Sequence, residues 1–338
     1  MMKKLIFLAS TALASMTALT PAMAQDFGNH TFRVSNGAAQ DHPVATGIEA
    51  MSSCLQEGSG GSMKLRAFYS GQLGDDAQAT QSVRSGSIDM VVAGADALAG
   101  IEPAMGVFSL PFLFANFDEV DRVMTGSYAD DLKEKMLGHQ LVMLSIWENG
   151  FRHATNSVHP IESVTDFEGL NIRVIQNPIY LATFRALGAN PVPMSFGEVF
   201  TALETGAVDG MENPLPLIQS QRFYEVQDYA TLTQHAYSPL PVLISERKWN
   251  GLNEAEQTLM RDCAVSAREL QVVRAREAVG EARAALESEG MAFTELSDDA
   301  MAELRDTVEP VYQSSRDSLG GDNIDQLMKQ LNTIRSGN

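Results

Sequence analysis

A set of polar side chains with useful chemistry lies between Asp166 and Pro214. Arg173 is flanked by the β-branched residues Ile172 and Val174, which favour a strand over a loose surface loop. A guanidinium held on a strand presents a planar fork of N–H donors that matches a carboxylate in shape and charge. This stretch therefore has the chemistry to hold a small organic anion.

The residues after Arg173 indicate a strand, a helix and a second strand. Ser195 followed by Glu198 has the form of a capping box, which predicts a helix start. Asp209-Gly210 and Asn213-Pro214 bracket a short strand, because the proline keeps Asn213 in an extended conformation. The polar side chains thus gather at the ends of elements, where binding sites are commonly built.

Catalytic and cofactor motifs are missing from the sequence. It contains no G-x-S-x-G, no H-E-x-x-H, no phosphate-binding loop, no G-x-G-x-x-G after a strand and no Cys/His cluster with metal-ligand spacing. Glu148 and Glu212 could be imagined as an acid/base pair, but nothing in their neighbourhood specifies that geometry. We therefore expect a binding protein without cofactor or metal, and not an enzyme.

The first residues have the pattern of a cleavable export signal. Lys3 and Lys4 precede an apolar run, and Ala22-Met23-Ala24 is a small-x-small cleavage site. The apolar run falls short of the roughly 20 residues that a membrane-spanning helix needs. We expect residues 1–24 to be a signal peptide and the mature chain to reach the periplasm.

The charge balance excludes some partners. The chain has 24 Lys and Arg against 43 Asp and Glu, a formal net charge of −19, so nucleic acid and anionic membrane surfaces are unsuitable partners. Such a charge also repels a small anion at long range. Capture of an organic acid must then depend on a local positive pocket.

The two cysteines, Cys54 and Cys263, lie far apart in the sequence, and both fall on helical patterns. An oxidising compartment would allow them to pair, but buried free thiols are the more common state of such residues. The sequence favours free thiols and leaves pairing open, since it cannot supply the geometry that a disulfide requires.

The fold class follows from alternating strand and helix patterns. Strands at 31–35, 63–69 and 88–92 alternate with helices that begin near Pro43 and at Asp75, which indicates a parallel α/β layer. Later strands are predicted at 141–147, 229–233, 237–245 and 291–295, and helices from Asn116, Ser297 and Asn323. Asn253 with Glu256 caps a long helix reaching about Glu289.

Several motifs between Thr31 and Leu252 together resemble one family. In order they are S-G-Q-L-G-D-D, G-S-I-D-M, L-P-F-L-F, W-E-N-G-F-R, E-N-P and T-Q-H-A-Y-S-P. Each is weak alone, but their order resembles that of the DctP-like substrate-binding proteins of tripartite ATP-independent periplasmic (TRAP) transporters. The resemblance implies a protein that delivers a carboxylate ligand to the small and large membrane permease subunits. From the export signal and the missing catalytic motifs we expect a monomer.

The same resemblance implies an α/β, two-lobed periplasmic binding protein fold with mixed sheets and a long helix that spans both lobes. Residues 25–149 with about 239–278 would form lobe I, and residues 150–238 with about 279–338 lobe II. Gly150 and the segment 238–241 would be the hinge segments. Closure of the lobes would bury the ligand.

The family's binding residues carry over onto matching positions. Arg173 would form the main salt bridge to the ligand carboxylate, Arg152 would add a second cation at the mouth of the cleft, and Asn213 would donate a hydrogen bond. Phe196 would pack against the ligand, or equally against the apolar face of its own helix. Further expected cleft residues are Asn36, His42, Asp76 and Glu148.

Ligand identity is left between two acids. Sialic-acid binders of the family carry Glu and Arg where this chain has Gly94 and Ala97, which argues against sialic acid. The W-E-N-G-F-R and H-A-Y-S-P-L runs resemble the diketogulonate-type binders, so a sugar acid is the first expectation and a C4 dicarboxylate the alternative. A ligand-sensing module would have the same site, and a secreted enzyme is a further alternative that turnover of an organic acid would reveal.

Overall fold

A computed structural model describes residues 27–337, whose centre is one mixed sheet. The predicted signal peptide, residues 1–24, lies outside the described residues. The strands of the described chain are β1 His30–Asn36, β2 Met63–Phe68, β3 Met90–Val92, β4 Leu141–Asn156, β5 Asn171–Val174, β6 Asn190–Pro193, β7 Gly210–Asn213, β8 Tyr229–Ser245 and β9 Ala292–Thr294.

The helices connect these strands and pack against them. They are α1 Val44–Gly58, α2 Asp76–Arg84, α3 Phe117–Met124, α4 Ser127–Leu137, α5 Pro178–Ala186, α6 Val199–Glu204, α7 Leu215–Ser220, α8 Glu246–Trp249, α9 Glu254–Ser288, α10 Asp298–Val308, α11 Pro310–Ser314, α12 Arg316–Leu319 and α13 Gly321–Arg335. No helix between residues 27 and 337 is long and apolar enough to cross a membrane.

The sheet joins two parallel groups of strands through a long antiparallel pair. The strand order is β2-β1-β3-β8-β4-β7-β5-β6, with β9 beside β8. β1 is parallel to β2 and β3, and β5 is parallel to β6 and β7, whereas β8 runs antiparallel to β3 and β4. The predicted α/β class with a mixed sheet is confirmed.

Register shifts interrupt the pairing of β4 with β8. They fall at Met143/Ser145, Glu148/Gly150 and Arg152/Ala154. Gly150 has φ +120°, a backbone conformation that glycine adopts without the steric cost of a side chain. Residue 150 therefore stands at an irregular point of a strand that passes between the two parallel groups.

One predicted break in the strands is absent. The sequence predicts separate strands at 229–233 and 237–245, but β8 is continuous. Gln234, between them, has φ +45°, so the chain makes a local irregularity and then resumes pairing.

The long helix α9 packs on both parts of the molecule. It starts with the predicted capping box of Asn253 and Glu256. Its first half, with Met260 and Ala267, packs in the core beside α1, β1 and β3, while Ala282 and Leu286 pack in the core beside α6 and α7.

Cys54 and Cys263 form a disulfide, with their Cα atoms 5.5 Å apart. The sequence-based preference for free thiols is therefore wrong. The reason is tertiary: α1 and α9 pack side by side and bring together two residues that are 209 positions apart in the chain.

The C-terminal helices contact elements from both predicted lobes. α13 packs on α3 and α4, where Arg335 pairs with Glu119 at 2.8 Å, while α10 and α11 pack on α5. The division of the chain into lobes at the residue numbers given above stays a prediction.

Candidate functional site

A cavity of about 380 Å³ lies beside the middle of the sheet. Its lining includes residues of β1, of α2 and of the segment after β3, and residues of β5, β7 and α6. Its polar lining consists of Asn36, His42, Ser70, Asp75, Asp76, Asp96, Asn149, Arg152, Arg173, Gln176, Ser195, Asn213, Gln221 and Ser238. Its apolar lining includes Val44, Phe196, Phe200, Leu217, Phe223 and Leu240.

Arg173 is a buried cation whose hydrogen bonds are incomplete. It lies on β5, and its side chain is 2% exposed. Nη2 donates to the Met194 carbonyl oxygen at 2.8 Å, but Nε and Nη1 have no partner among residues 27–337. Burial is the main reason that its pKa falls to about 10, even though Glu212 acts in the opposite direction. An anion in the cavity would satisfy these free donors.

Arg152, in contrast, is saturated by the protein. Nε and Nη2 hold both carboxylate oxygens of Glu212, Nη1 lies 3.3 Å from Asp96 Oδ2, and Nη2 donates to Asn213 Oδ1 at 2.9 Å. Burial opposes its charge, but Glu212 and Asp96 raise its pKa above the usual value. Arg152 is 1% exposed, so its expected position near solvent at the mouth of the cleft is wrong.

Glu212 is the anion at the centre of this cluster. Burial alone would raise its pKa, but Arg152 and the contact from His235 Nε2 at 3.3 Å lower that pKa to about 2. His235 also contacts the Thr233 hydroxyl at 2.8 Å and is not part of the cavity lining. Neither Glu212 nor Glu148, the imagined acid/base pair, is part of the cavity lining.

Asn213 and Asn36 both line the cavity, but the hydrogen bonds that their side-chain amides already make within the protein differ. Asn213 accepts from Arg152 through Oδ1, and its Nδ2 contacts the Met211 sulfur at 3.2 Å. Asn36 donates to the Val92 carbonyl and accepts from the Ala38 N–H, so it fixes the turn after β1. Asn213 keeps the freer donor group.

His42 lines the cavity close to the start of α1. Its Nδ1 accepts from the Val44 N–H at 3.2 Å, which places the proton of the neutral ring on Nε2. Nε2 has no partner of hydrogen-bonding geometry among the described residues. Burial lowers the pKa of His42 to about 4, with a smaller opposing effect from Asn149. At neutral pH His42 is therefore a neutral donor.

Asp76 lies in the first turn of α2, and its side chain lines the cavity. Its Oδ2 accepts from the Gly94 N–H at 2.8 Å. Burial raises the pKa of Asp76 to about 7, the Gly94 bond lowers it, and the carboxylates of Asp96 and Asp75 raise it further. This group can therefore carry a proton near neutral pH.

Glu148 is not part of the cavity lining, so its prediction as a cleft residue is wrong. It accepts from Arg276 Nη2 at 2.9 Å and from the Tyr237 hydroxyl at 3.1 Å, and Arg276 also holds Asp121. Burial raises the pKa of Glu148 despite Arg276. Asn149 lines the cavity instead, because successive strand residues point to opposite faces of the sheet.

Phe196 lies between the cavity and the protein core, and its packing against a ligand stays a prediction. Ser195 and Glu198 form the predicted capping box around a short 3₁₀ turn that leads into α6. The Phe196 ring packs edge-to-face on Phe223 at 5.9 Å and also lines the cavity, with the Arg173 guanidinium 5.9 Å from its centre.

Asp96 and Gln221 are among the polar cavity residues that sequence reasoning missed. Asp96 is 4% exposed and binds Arg152, the Ser238 hydroxyl at 3.0 Å and the Tyr180 hydroxyl at 3.4 Å. The sequence could have indicated Asp96 as a site residue, because it is the single charged residue in the apolar run 91–101. Gln221, whose buried Nε2 has no partner among the described residues, carried no such signal.

Known proteins resemble this chain over most of its length. The sequence model of the bacterial extracellular solute-binding proteins of family 7, DctP, matches residues 34–318. The 2,3-diketo-L-gulonate-binding periplasmic protein YiaO of Escherichia coli (strain K12) is 38% identical over 256 residues, which cover 75% of this chain and 76% of that protein.

Solved structures agree with the sequence comparison. The sugar acid binding protein DctPAm from Advenella mimigardefordensis, solved in complex with galactonate, superimposes with a TM-score of 0.89 at 35% identity, covering 91% of this chain and 99% of that one. A TRAP periplasmic solute binding protein from Polaromonas sp JS666, bound to D-erythronate, has a TM-score of 0.84 at 32% identity and covers 88% and 97%. This chain therefore belongs to the DctP family of bacterial extracellular solute-binding proteins and is a TRAP periplasmic solute-binding protein.

Proposed function

We propose that this protein captures a sugar acid, an aldonate, uronate or diketogulonate with one carboxylate and a hydroxylated chain, and delivers it to TRAP membrane permease subunits. The observation that carries the proposal is Arg173, a buried cation with two donors, Nε and Nη1, that lack a partner among residues 27–337. A ligand carboxylate would complete the guanidinium's hydrogen bonds and offset its desolvation.

The charges of the cavity favour one carboxylate over two. Arg152 is already bound by Glu212, Asp96 and Asn213, so Arg173 is the cation with donors to spare. Asp75 and Asp96 also line the cavity, where a second ligand carboxylate would meet like charges. The uncharged donors His42, Asn149, Gln221 and Ser70 suit hydroxyl or carbonyl oxygens.

The relatives support the same class of ligand. YiaO is named for 2,3-diketo-L-gulonate, and the two solved relatives described above hold galactonate and D-erythronate. A C4 dicarboxylate is the alternative, for which Arg152 would have to give up bonds to Glu212 or Asp96. Delivery to a permease, as opposed to ligand sensing or an enzymatic reaction, rests on the family.

Calorimetric titration with D-galactonate, D-erythronate and succinate tests the proposal. We expect one site per chain and binding of a sugar acid, and galactitol, which lacks the carboxylate, serves as the matched control that should not bind. A ligand at 100 times its dissociation constant adds about 2.7 kcal/mol to stability, so thermal unfolding provides an independent readout. Tight binding of succinate with no binding of either sugar acid would refute the assignment, and mass spectrometry of the recovered ligand would reveal any turnover.

A further inference from the structure

The wall of the cavity at the end of β3 places two carboxyl groups on either side of one glycine. The Gly94 N–H donates to Asp76 Oδ2 at 2.8 Å. A β-carbon at Gly94 would collide with Asp96 Oδ1 and stand 3.6 Å from Asp76 Oδ2. Both side chains line the cavity, so glycine at this position leaves the space between the two carboxyl groups open to a ligand.

The two carboxyl groups have different surroundings. Asp96 Oδ2 is held by Arg152, Ser238 and Tyr180, while its Oδ1 accepts one bond, from the Ala97 N–H at 2.9 Å. That oxygen has a lone pair left for a ligand donor.

Asp76 has the Gly94 N–H as its stabilising partner, and no cation among residues 27–337 forms an ion pair with it. Burial and the neighbouring Asp96 and Asp75 carboxylates raise its pKa to about 7. The other titratable or charged groups that line the cavity are His42, Arg152 and Arg173. Arg152 is committed to Glu212 and Asp96, and His42 is neutral in this pH range.

We propose that Asp76 binds the ligand in its protonated form, and that Asp76 and Asp96 together form a subsite for two neighbouring hydroxyl groups of the ligand's chain. The Asp76 carboxylic acid donates its O–H to one ligand oxygen, and Asp96 Oδ1 accepts from a ligand hydroxyl. The proton comes from solvent and stays on Asp76 while the ligand is held. This inference rests on the proposed function. It adds that Asp76 and Asp96 select a vicinal diol, and that ligand binding is accompanied by uptake of a proton.

A metal ion is a poorer occupant for the same space. The residues from 27 to 337 contain no group of three or more His, Cys, Asp or Glu side chains arranged to hold one. Arg152, 3.3 Å from Asp96, would also repel a cation there.

The pH dependence of D-galactonate binding tests the proposal. In the parent protein we expect the affinity to be constant below about pH 6.5 and to fall by as much as about tenfold per pH unit above pH 7, because a proton must then be taken up. Titrations in two buffers of different ionisation enthalpy should report uptake approaching one proton at pH 8.

Asp76→Asn is the informative variant, because an amide offers a donor at every pH. Its affinity should stay nearly constant from pH 6 to 8.5 and exceed that of the parent at pH 8.5. Asp118→Asn removes a carboxylate that is 78% exposed on α3, and it should keep the parent profile. Hexanoate, a six-carbon acid without hydroxyls, should bind at least about a hundredfold more weakly than galactonate, because the buried polar groups of the site are left unpaired.

Three results would overturn the inference. They are a flat pH profile in the parent, a parent-like slope in Asp76→Asn, and hexanoate binding as tightly as galactonate. Each of them leaves the proposed function intact, since galactonate still binds. Failure of the parent to bind any sugar acid would overturn the proposed function and the subsite with it.

Discussion

The two arginines of the cavity show how surroundings decide what one residue type does. Arg173 and Arg152 lie on strands of one sheet, and each side chain is at most 2% exposed. Arg152 is neutralised by Glu212 and Asp96, whereas Arg173 keeps two donors without partners in the described chain. The first is therefore part of the protein's framework, and the second is available to a ligand.

We expect Arg173→Ala to weaken ligand binding by roughly thirtyfold to several thousandfold, since loss of one partner of a buried charge pair costs about 2 to 5 kcal/mol. Arg173→Lys should also bind poorly, because it loses the planar fork. Arg173→Met should leave the ligand-free melting temperature unchanged or higher, since an incompletely bonded buried charge is removed. Titration calorimetry and thermal unfolding measure both effects. Near-parental affinity in Arg173→Ala would refute the assigned role.

Arg152→Ala should behave differently. It leaves Glu212 buried without its cation, so we expect unfolding to be easier by about 3 to 5 kcal/mol in urea titrations without ligand. The double variant Arg152→Met/Glu212→Gln should recover part of that loss, because the uncompensated carboxylate is removed as well. Equal ligand-free stability of Arg152→Ala and the parent would contradict the framework role.

The sequence located part of this site and misplaced another part. Arg173 lies on a strand that the neighbouring β-branched residues predict. Its donors without partners in the described chain agree with the predicted binding of a carboxylate. Glu148 and Asn149 could not be told apart, because the register shift at Glu148/Gly150 decides which side chain faces the cavity. Gln221 follows the short helix α7, and no local pattern around it predicts that its Nε2 is buried beside the cavity.

At the scale of elements, the positions where helices begin were easier to predict than the elements against which each helix or strand packs. Capping boxes at Asn253 and Ser195 are local and short, so the sequence locates both helical starts. The pairing of β4 with β8 joins segments that are far apart in the chain, and the packing of α1 on α9 does the same. The disulfide was missed for this reason, because a cysteine's neighbours in sequence do not report its neighbours in space.

The disulfide should contribute strongly to the α1–α9 contact. Closing a loop between residues 209 positions apart restricts the unfolded chain, which corresponds to about 5 kcal/mol in the chain-entropy treatment. We expect dithiothreitol to lower the denaturation midpoint of the parent and to leave the Cys54→Ser/Cys263→Ser variant unaffected. Identical midpoints for the oxidised parent and the double variant would show that the packing of α1 on α9 does not need the bond.

At the scale of the whole molecule, few segments connect the parallel strands that carry Arg173 with the parallel strands on which α2, the helix of Asp76, packs. β4 and β8 pass between the two parallel groups of strands, and α9 packs against both cores. The pairing of β4 with β8 is interrupted where they pass, at Glu148/Gly150 and Arg152/Ala154. Arg276 on α9 bridges Glu148 beside the first interruption to Asp121 on α3. Bending at these interruptions would move the two walls of the cavity relative to each other as rigid bodies.

Closure on a ligand should therefore make the protein more compact without changing its secondary structure. Small-angle scattering with saturating D-galactonate should show a smaller radius of gyration, while circular dichroism stays constant. Arg173→Met with the same concentration of galactonate is the matched control, and its scattering should not change.

Gly150→Ala tests where the bending occurs. A β-carbon at residue 150 would come no closer than 3.8 Å to Pro214, so the substitution causes no collision, but φ +120° is unfavourable for alanine by about 1 to 3 kcal/mol. If this conformation belongs to only one arrangement of the lobes, the variant should change both the ligand-free scattering curve and the affinity. Gly280→Ala, on the exposed side of α9 with open space around it, should change neither. Closure would be contradicted if the scattering curves of the parent protein with and without ligand coincide. If Gly150→Ala has the scattering curve and the affinity of the parent, the bend lies elsewhere in β4 and β8.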